Sequence, residues 1–583
     1  MLIFIGPLVK TAAMSRPQFP SRRTSFTTLL GAALLALSPV VAHAQLTLGD
    51  VQKIIAQAIS RAEQTRPSAL IAVTDREGFV LGVWSVDGTV TNDGSLAQAE
   101  RIGAAISEAG TPTFLSTNEN AFSTRTAQFL IQQNFPPGID NVPPGPLVGI
   151  EFSQLPFSDA NRFKRVFPGP NGEVPAVPGG GFVPGSLGTG IYNTRLSART
   201  SGFPLYKNGQ LVGGIGVFSG LQNNLIDAVN KELNNTVPGP NEDEIIALTG
   251  QTGFAPSKTV LATNVYIDGL GLPYANGRAV LGKVKPIGAV GAPVPGFELT
   301  AAQPDFPYPV EILGGRPVVI RSPILDDPLL GVPVNGQQRL SQDDIRGIIG
   351  RVAARAFTTR SAIKNPQGKR SEIFVSVVGL PPGPGQPAPI LATARTFGSA
   401  LFDANDVCPQ KARTALFFSS DTFAASTRTV GFLAQNHFPP GLNERAPGPY
   451  GPDIPQFNPD GTPVAGTVGL QVAFSVNIDP VTGIPFIPVA GPQGPGVPVP
   501  TMLPPNPNLP DGINLFGGGF PLYRNGVLIG ALGSSGDGIE VDDLLGASGV
   551  GDEFACPDEI RADQFTYDGA RLPYAKFPRN PDL

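Results

Sequence analysis

The chain has 583 residues, a formal net charge of −5 and only 15% charged residues. It therefore lacks the basic surface that attracts nucleic acids or anionic membranes. Its 71 glycines and 63 prolines indicate a large loop content, yet hydrophobic residues make up 41% of the sequence, enough for two cores of ordinary domain size.

The N-terminal segment predicts export. Arg22 and Arg23 precede an apolar run from Leu29 to Leu37, and small residues follow up to Ala44. This is the layout of a secretory signal peptide over residues 1–44, so we expect a mature chain that begins at Gln45 and is periplasmic or secreted. The paired arginines also fit a twin-arginine signal, which leaves the export route open. No later stretch approaches the ~18 apolar residues of a membrane helix, so no membrane span is predicted.

The next elements predict a helix, a hairpin and two more helices. Leu46–Ala62 places its apolar residues on one helical face. Ala69–Asp75 and Gly78–Ser85 predict two antiparallel strands around a short turn. Alanine-rich Ser95–Ala109 and the segment Ser123–Asn134 predict the two helices.

A Pro/Gly-rich insertion near 137–200 separates these elements from a second hairpin. Asn208-Gly209 lies between the strand-like segments Phe203–Tyr206 and Leu211–Phe218, and this dipeptide favours a tight hairpin turn. A helix is predicted near Asn223–Leu233. The glycines of this hairpin lack the context of a phosphate loop, so we expect them to permit close approach of backbone or ligand to the sheet.

The same order of segments then recurs, with a different insertion near 439–516. The sequence therefore predicts an α+β protein of two tandem homologous domains, each an antiparallel sheet covered by helices. The domains are predicted at 45–276 and 338–583, with a connector at 277–337. The matching segments are Leu46–Ala62 with Leu340–Ala356, Ser123–Gly138 with Ser426–Gly441, Phe203–Gly209 with Phe520–Gly526, and Asp268–Ala275 with Asp568–Ala575.

Several motifs in this order resemble the GlcG/HbpS-like heme-binding family. In the second copy, Lys411-Ala-Arg-Thr-Ala415 is similar to a helix motif of that family, and Gly518–Gly536 is similar to its glycine-rich hairpin. In the first copy, Asp75-Arg-Glu-Gly78 and Gly202–Gly216 follow the same pattern. The resemblance implies a heme or related cofactor held between helices and sheet. The insertions and the connector are not part of the family unit.

Five residues are candidates for contact with such a cofactor. His437 is the only histidine of the expected mature chain and could ligate heme iron, although a histidine at a helix end is also an ordinary capping residue. Lys411 and Thr414 lie in the family-like helix. Arg125 and Arg428 occupy equivalent places in the two copies, so each could bind a ligand carboxylate or pair with an internal acid.

The two cysteines, Cys408 and Cys556, lie in the second copy. In an exported protein they predict one structural disulfide. A metal site built on thiolates would need more ligands than the chain offers.

The sequence thus favours an exported, non-catalytic protein that binds heme or a related small molecule. With one mature histidine and no nucleophile-elbow motif, it gives no support to hydrolytic catalysis. The alternative is a structural or surface-interaction protein that keeps the fold without a working pocket and contacts a protein partner through its Pro/Gly-rich insertions. A third hypothesis, an accessory enzyme acting on small organic acids or corrinoids, has no motif of its own here.

Overall fold

A computed structural model describes residues 44–583 with gaps, the longest of which are 148–199, 221–240, 451–489 and 499–512. The first half of this region forms one sheet-bearing domain. Its elements in chain order are α1 (Leu48–Thr65), β1 (Leu70–Asp75), β2 (Val80–Ser85), α2 (Leu96–Leu115), α3 (Thr124–Leu130), β3 (Gly202–Lys207), β4 (Gln210–Phe218), α4 (Glu242–Gly250), β5 (Tyr266–Ile267), β6 (Leu270–Gly271) and β7 (Ala292–Pro293).

The second sheet-bearing domain repeats the order helix, hairpin, two helices, hairpin and helix. Its elements are β8 (Val310–Leu313), β9 (Arg316–Ser322), α5 (Gln342–Thr358), β10 (Phe374–Val378), β11 (Ile390–Thr396), α6 (Ala404–Phe417), α7 (Thr427–Leu433), β12 (Ala490–Gly491), β13 (Gly494–Pro498), β14 (Gly519–Arg524), β15 (Val527–Ser535), α8 (Ile539–Val550), β16 (Thr566–Tyr567) and β17 (Ala570–Arg571).

The two main sheets share a four-stranded antiparallel core. The first has the strand order β3-β4-β1-β2-β7 and the second β14-β15-β10-β11-β9-β8. Both hairpins turn at an Asn-Gly pair, with Asn208 at φ 53° and Asn525 at φ 49°. The α+β architecture with two sheet-bearing domains, predicted from the repeat, is confirmed.

Helices cover both faces of each sheet. In β1, Leu70 and Ala72 join the core beneath α2, whereas Ile71 and Val73 join the core beneath α1 and α4, as the period of two in a strand requires. In the second domain, α6 packs on β15, β10 and β14, while α5 and α8 pack together on the opposite face. Each domain is therefore a sheet between two helical layers.

The glycines of the hairpin strands permit the close packing of α2 and α6. A Cβ on Gly214 would lie 2.0 Å from the carbonyl oxygen of Ala109, and one on Gly533 would lie 2.0 Å from that of Cys408. These distances are far below van der Waals contact, so only glycine lets the helix backbone approach the strand. The prediction that these glycines serve close approach is confirmed.

The two domains are joined by polar bonds and by a shared apolar core. Asn120 Nδ2 donates to the carbonyl of Ile363 at 2.8 Å, and Lys364 Nζ donates to that of Phe114 at 2.6 Å. Leu147 of the first domain belongs to the same buried cluster as Phe516 of the second. The contact between the two domains is thus buried inside the protein.

The structure agrees with some of the other predictions from the sequence, differs from others and leaves some outside the described residues. The predicted connector 277–337 supplies β7 to the first sheet and β8 and β9 to the second. Nearly all of the predicted signal peptide, and the predicted helix near 223–233, lie outside the described residues. Helix α4, which begins nine residues after the end of that predicted helix, was not predicted from the sequence. Of the helices in the described part of the chain, none has the length and hydropathy of a membrane span.

The predicted disulfide between Cys408 and Cys556 is wrong, because no disulfide joins these buried residues. The Cys408 carbonyl packs on Gly533, whereas Cys556 lies beside Tyr523, which pairs with Leu528 in the hairpin. Gly533 lies five positions beyond Leu528, about 17 Å along a strand, whereas a disulfide requires Cα atoms within ~7 Å. The two thiols therefore lie near opposite ends of one hairpin.

Candidate functional site

Lys411 lies on the inner face of α6 and is fully buried, with 0% of its surface exposed. Its Nζ donates to Asp542 Oδ2 at 2.8 Å and to the carbonyl of Ser534 at 2.9 Å. The same ammonium lies 4.7 Å from the centre of the Phe516 ring, a cation–π distance. Burial raises the pKa of Asp542, and the charge of Lys411 offsets this only in part. The Lys411 ammonium thus binds groups of its own domain.

Thr414 lies one turn further along the same helix. Its Oγ1 donates to the carbonyl of Gln410 at 2.8 Å and accepts from the backbone N–H of Asn514 at 2.9 Å. Thr414 therefore fixes the start of the segment that continues through Leu515 and Phe516 into β14. Lys411 supports the same segment from beneath Phe516.

The two equivalent arginines each pair with an acid in the last helix of their own domain. Arg125 donates to Glu244 through Nε at 2.7 Å and Nη2 at 2.9 Å. Arg428 Nε donates to Asp543 Oδ2, and its Nη2 donates to the carbonyl of Ile539 at 3.1 Å. The internal-acid alternative accounts for these contacts in both copies.

Beside Arg428 the structure contains a cleft of about 390 Å³. Both domains line it, which places it at their junction. The first domain contributes Pro143, Gly145, Pro146 and Leu147. The second contributes Ala362, Ile363, Arg428, Gly431, Phe432, Gln435, Leu515, Phe516, Gly517, Gly538, Ile539, Glu540, Pro573, Lys576 and Pro578.

The walls of the cleft are mainly apolar, and its charged groups are few. Phe432, Leu515, Phe516 and Ile539 form much of the second domain's wall. The charged lining residues are Arg428, Glu540 and Lys576; Lys576 Nζ lies 2.6 Å from Glu540 Oε1 and is largely exposed. Mainly apolar walls with a few charged groups are typical of small-molecule sites.

Near this cleft, two oxygen atoms that are buried from solvent, and so are not exposed in the cleft, accept no hydrogen bond. They are Oε1 of Gln435 and Oδ1 of Asp543. Buried acceptors normally accept a hydrogen bond, and leaving one without a donor costs about 1–3 kcal/mol of stability.

The structure brings some predicted residues together and separates others. Lys411, Thr414 and Arg428 converge on the segment 514–517, but only Arg428 lines the cleft. Arg125 lies in the first domain and does not line it. His437 lies outside the described residues. Cofactor contact by these five residues stays a prediction.

The described residues contain no group of three or more His, Cys, Asp or Glu side chains able to hold a metal ion. The two hairpin tyrosines are buried, and each hydroxyl donates to a backbone carbonyl: Tyr206 to Thr117 at 2.5 Å and Tyr523 to Ser420 at 2.7 Å. Burial raises the pKa of both hydroxyls. Both tyrosines are therefore packing residues with a satisfied polar end.

Sequence reasoning missed the aromatic wall, Gln435 and the contribution of segment 143–147. That segment belongs to the predicted insertion near 137–200, and it contacts the cleft of the same chain. A local signal did exist at Gly517-Gly518-Gly519, because a run of three glycines before a strand indicates that the backbone passes close to other groups.

Gly518→Ala is expected to destabilise the second domain by at least about 2 kcal/mol. Gly518 has φ +115°, and its Cβ would lie 2.4 Å from the Ser534 carbonyl and 2.9 Å from Lys411 Nζ. Gly526→Ala is the control, because it has φ +80° but no contact nearer than 3.6 Å, so we expect only about 1 kcal/mol. Urea unfolding of both variants measures the difference, and equal losses would contradict the clash.

Comparisons with known proteins give a limited result. No protein-family model matches the chain, and no curated protein matches it. A heme complex of PduOC is 17% identical with a TM-score of 0.20, over 36% of this chain and 96% of its own. The Klebsiella pneumoniae protein ORFY, described under the family model DUF336, is 14% identical with a TM-score of 0.20, over 37% of this chain and 95% of its own. At these values the two likenesses carry no argument about activity or ligand.

Proposed function

We propose that the chain is an exported, non-catalytic binding protein that holds a flat, largely apolar molecule with a carboxylate in the cleft between its domains. The observation that carries this proposal is the cleft of about 390 Å³, walled by both domains. Its volume falls within the range of ~300–1,000 Å³ typical of small-molecule sites. Heme is the first ligand to test, since the motifs of the second copy resemble a heme-binding family.

The described cleft fits part of what heme requires. Phe432, Phe516 and Ile539 offer apolar surface for a porphyrin ring. The lining cations, Arg428 and Lys576, already pair with Asp543 and Glu540, so a ligand carboxylate would have to share or displace these acids. None of the described lining residues is a His, Cys, Met or Tyr that could ligate iron. Iron ligation therefore depends on the prediction for His437, two residues beyond Gln435 in the chain. Bound heme would supply its own redox and ligand-binding chemistry; the protein's part is to bind and orient it.

Titration of the purified chain with hemin tests the proposal. We expect a saturable Soret shift. The affinity for hemin should be about 3-fold to 5-fold lower in Lys576→Ala, a small loss because an exposed charge contributes little to binding. Lys285→Ala is the matched control: it removes an exposed lysine that pairs with Glu63 at 2.6 Å and does not line the cleft. His437→Ala tests iron ligation. Absence of any shift from a chain with native circular dichroism would contradict the proposal.

A structural or interaction protein is the second candidate. It is favoured by one observation: Lys411, Thr414 and Arg125 make their polar contacts within the protein. If hemin and other planar carboxylates all fail to bind the folded chain, this candidate replaces the first.

Export also belongs to the proposal. If residues 1–44 are removed on secretion, the mass of the chain recovered from the producing cell's periplasm or medium should correspond to a start at Gln45. Recovery of the full-length chain from the cytoplasm alone would contradict it.

A further inference from the structure

Asp537 lies fully buried between β15 and α8, and its carboxylate binds four consecutive residues beyond the end of α5. Oδ1 accepts from Ser361 Oγ at 2.9 Å and from the backbone N–H groups of Ile363 at 3.3 Å and Lys364 at 3.0 Å. Oδ2 accepts from the backbone N–H of Ala362 at 3.3 Å. One side chain thus fixes the conformation of these four residues, the junction loop, through hydrogen bonds to a carboxylate.

The junction loop binds the first domain through its other polar groups. The carbonyl of Lys364 accepts from Thr117 Oγ1 at 2.8 Å, and the carbonyl of Ile363 accepts from Asn120 Nδ2 at 2.8 Å. Lys364 Nζ donates to the carbonyl of Phe114 at 2.6 Å and lies 4.1 Å from the centre of the Phe114 ring. The N–H groups of the loop therefore bind its own domain, whereas its carbonyls and its lysine side chain bind the first domain.

The junction loop also forms part of the cleft. Ala362 and Ile363 line the cleft, and so does Gly538, which follows Asp537 in the chain. Of the four loop residues, only Ile363 belongs to the apolar core, so hydrogen bonds make most of the loop's attachment. Because one loop contacts the carboxylate, the first domain and the cleft, it cannot leave Asp537 without altering all three.

We propose that the junction loop is a latch between the domains and that Asp537 holds it shut. While the carboxylate holds the loop, the loop keeps the first domain and the cleft wall in place. When the carboxylate releases the loop, both contacts open in one step. Such a latch acts in the chain without any ligand, so it goes beyond the proposed function.

The charge of Asp537 links the latch to pH. Burial raises the pKa of Asp537 to about 7, although its hydrogen bonds and Lys364 lower it. A carboxyl released into water titrates near pH ~3.9, so the held state binds the proton more tightly and release becomes easier as pH rises from about 4 to about 7. The charged residues around the site are Lys364 on the loop, Asp542 on α8, Lys411 on α6 and Glu372 before β10.

Hydrogen exchange of the full chain, followed by mass spectrometry, tests the latch. In Asp537→Ala, which removes all four acceptor contacts, we expect exchange at least about 10-fold faster both at 361–364 and at 117–120. β10 and β15 should keep their wild-type protection. Asp327→Ala is the matched control, because Asp327 is a buried aspartate of the same domain that accepts from the N–H of Leu329 at 2.9 Å and does not line the cleft. It should leave exchange at 117–120 unchanged.

Asp537→Asn separates the charge from the hydrogen bonds. Asparagine keeps an Oδ1 acceptor for the loop but does not titrate, so the loop should stay protected. In the wild type, exchange at 361–364, corrected for its intrinsic pH dependence, should rise at least about 10-fold from pH 5 to pH 8. In Asp537→Asn it should change less than about 2-fold, since no proton is released there.

Three results overturn the latch. Faster exchange at 361–364 without faster exchange at 117–120 in Asp537→Ala would mean that the loop moves independently of the first domain. Faster exchange throughout β10 and β15 would indicate a general structural role for Asp537. A pH dependence of wild-type size in Asp537→Asn would show that this carboxylate does not hold the loop. Where Asp537→Ala does not fold, the pH comparison of the wild type with Asp537→Asn decides alone.

Discussion

Lys411→Met is expected to lower the free energy of unfolding of the second domain by about 3–5 kcal/mol at pH 7. The substitution leaves Asp542 buried without its cation and leaves the Ser534 carbonyl without its donor. It also removes the charge above the Phe516 ring, so the wall of the cleft loses a support. Chemical denaturation followed by circular dichroism measures the loss.

The pH dependence of this loss gives a sharper test. Burial already raises the pKa of Asp542, and removal of Lys411 should raise it further. A raised carboxyl pKa favours the folded state at low pH, where the group is protonated, and weakens it as pH rises. The deficit of Lys411→Met should therefore narrow from pH 7 to pH 5.

A double variant controls for simple loss of packing. Lys411→Met combined with Asp542→Leu removes both charges together, and replacement of a whole buried pair is often neutral. We expect the double variant to recover most of the lost stability. A double variant as unstable as Lys411→Met would show that the unpaired charge of Asp542 does not account for the loss.

The fold was predictable because its signals are local and occur twice. The Asn208-Gly209 and Asn525-Gly526 pairs both adopt the positive φ values that a tight hairpin needs. The helix starts also carry local instructions, since Thr47 and Asp50 form a capping box at α1, and Ser341 and Asp344 form one at α5. Such signals need no knowledge of distant residues.

The site was less predictable because its groups are joined only in three dimensions. Lys411 was recognised as a motif residue, but its partner Asp542 lies 131 positions away. The second domain has Lys411 where the first has Glu108, so comparison of the two copies could not identify an acidic partner for Lys411. Leu147 lies in a Pro/Gly-rich insertion, where no periodicity connects it with Phe516.

Glu77 is a second example: its turn could be predicted from the sequence, but its contacts with the second domain could not. The Asp75–Gly78 turn was predicted and is confirmed, with Gly78 at φ 82° and Asp75 Oδ1 accepting from the N–H groups of Glu77 and Phe79. Nothing local indicated that Glu77 extends from this turn into the second domain. There its Oε2 accepts from Arg321 at 3.0 Å and its Oε1 from Arg395 at 3.2 Å.

The charges around Glu77 determine its ionisation. Its side chain is only 15% exposed, and burial alone would raise its pKa. The positive charges of Arg321, Arg395 and Arg76 outweigh burial and lower the pKa to about 2. Because an unfolded glutamate titrates near pH ~4.3, ionised Glu77 contributes up to about 3 kcal/mol at neutral pH. The sign of the shift means that this contribution is complete above about pH 4.5 and disappears as pH falls towards 2.

Glu77→Gln is therefore expected to cost about 2–3 kcal/mol at pH 7, because it leaves Arg321 and Arg395 facing each other without their shared carboxylate. The difference from the wild type should shrink between pH 4.5 and pH 3 in urea unfolding. Glu119→Gln is the matched control, since Glu119 also pairs across the domains, with Lys369 at 3.6 Å, but both side chains are exposed. We expect it to cost less than about 1 kcal/mol. Equal losses in the two variants, or a Glu77→Gln deficit that persists unchanged at pH 3, would show that the charge of Glu77 does not hold the domains together.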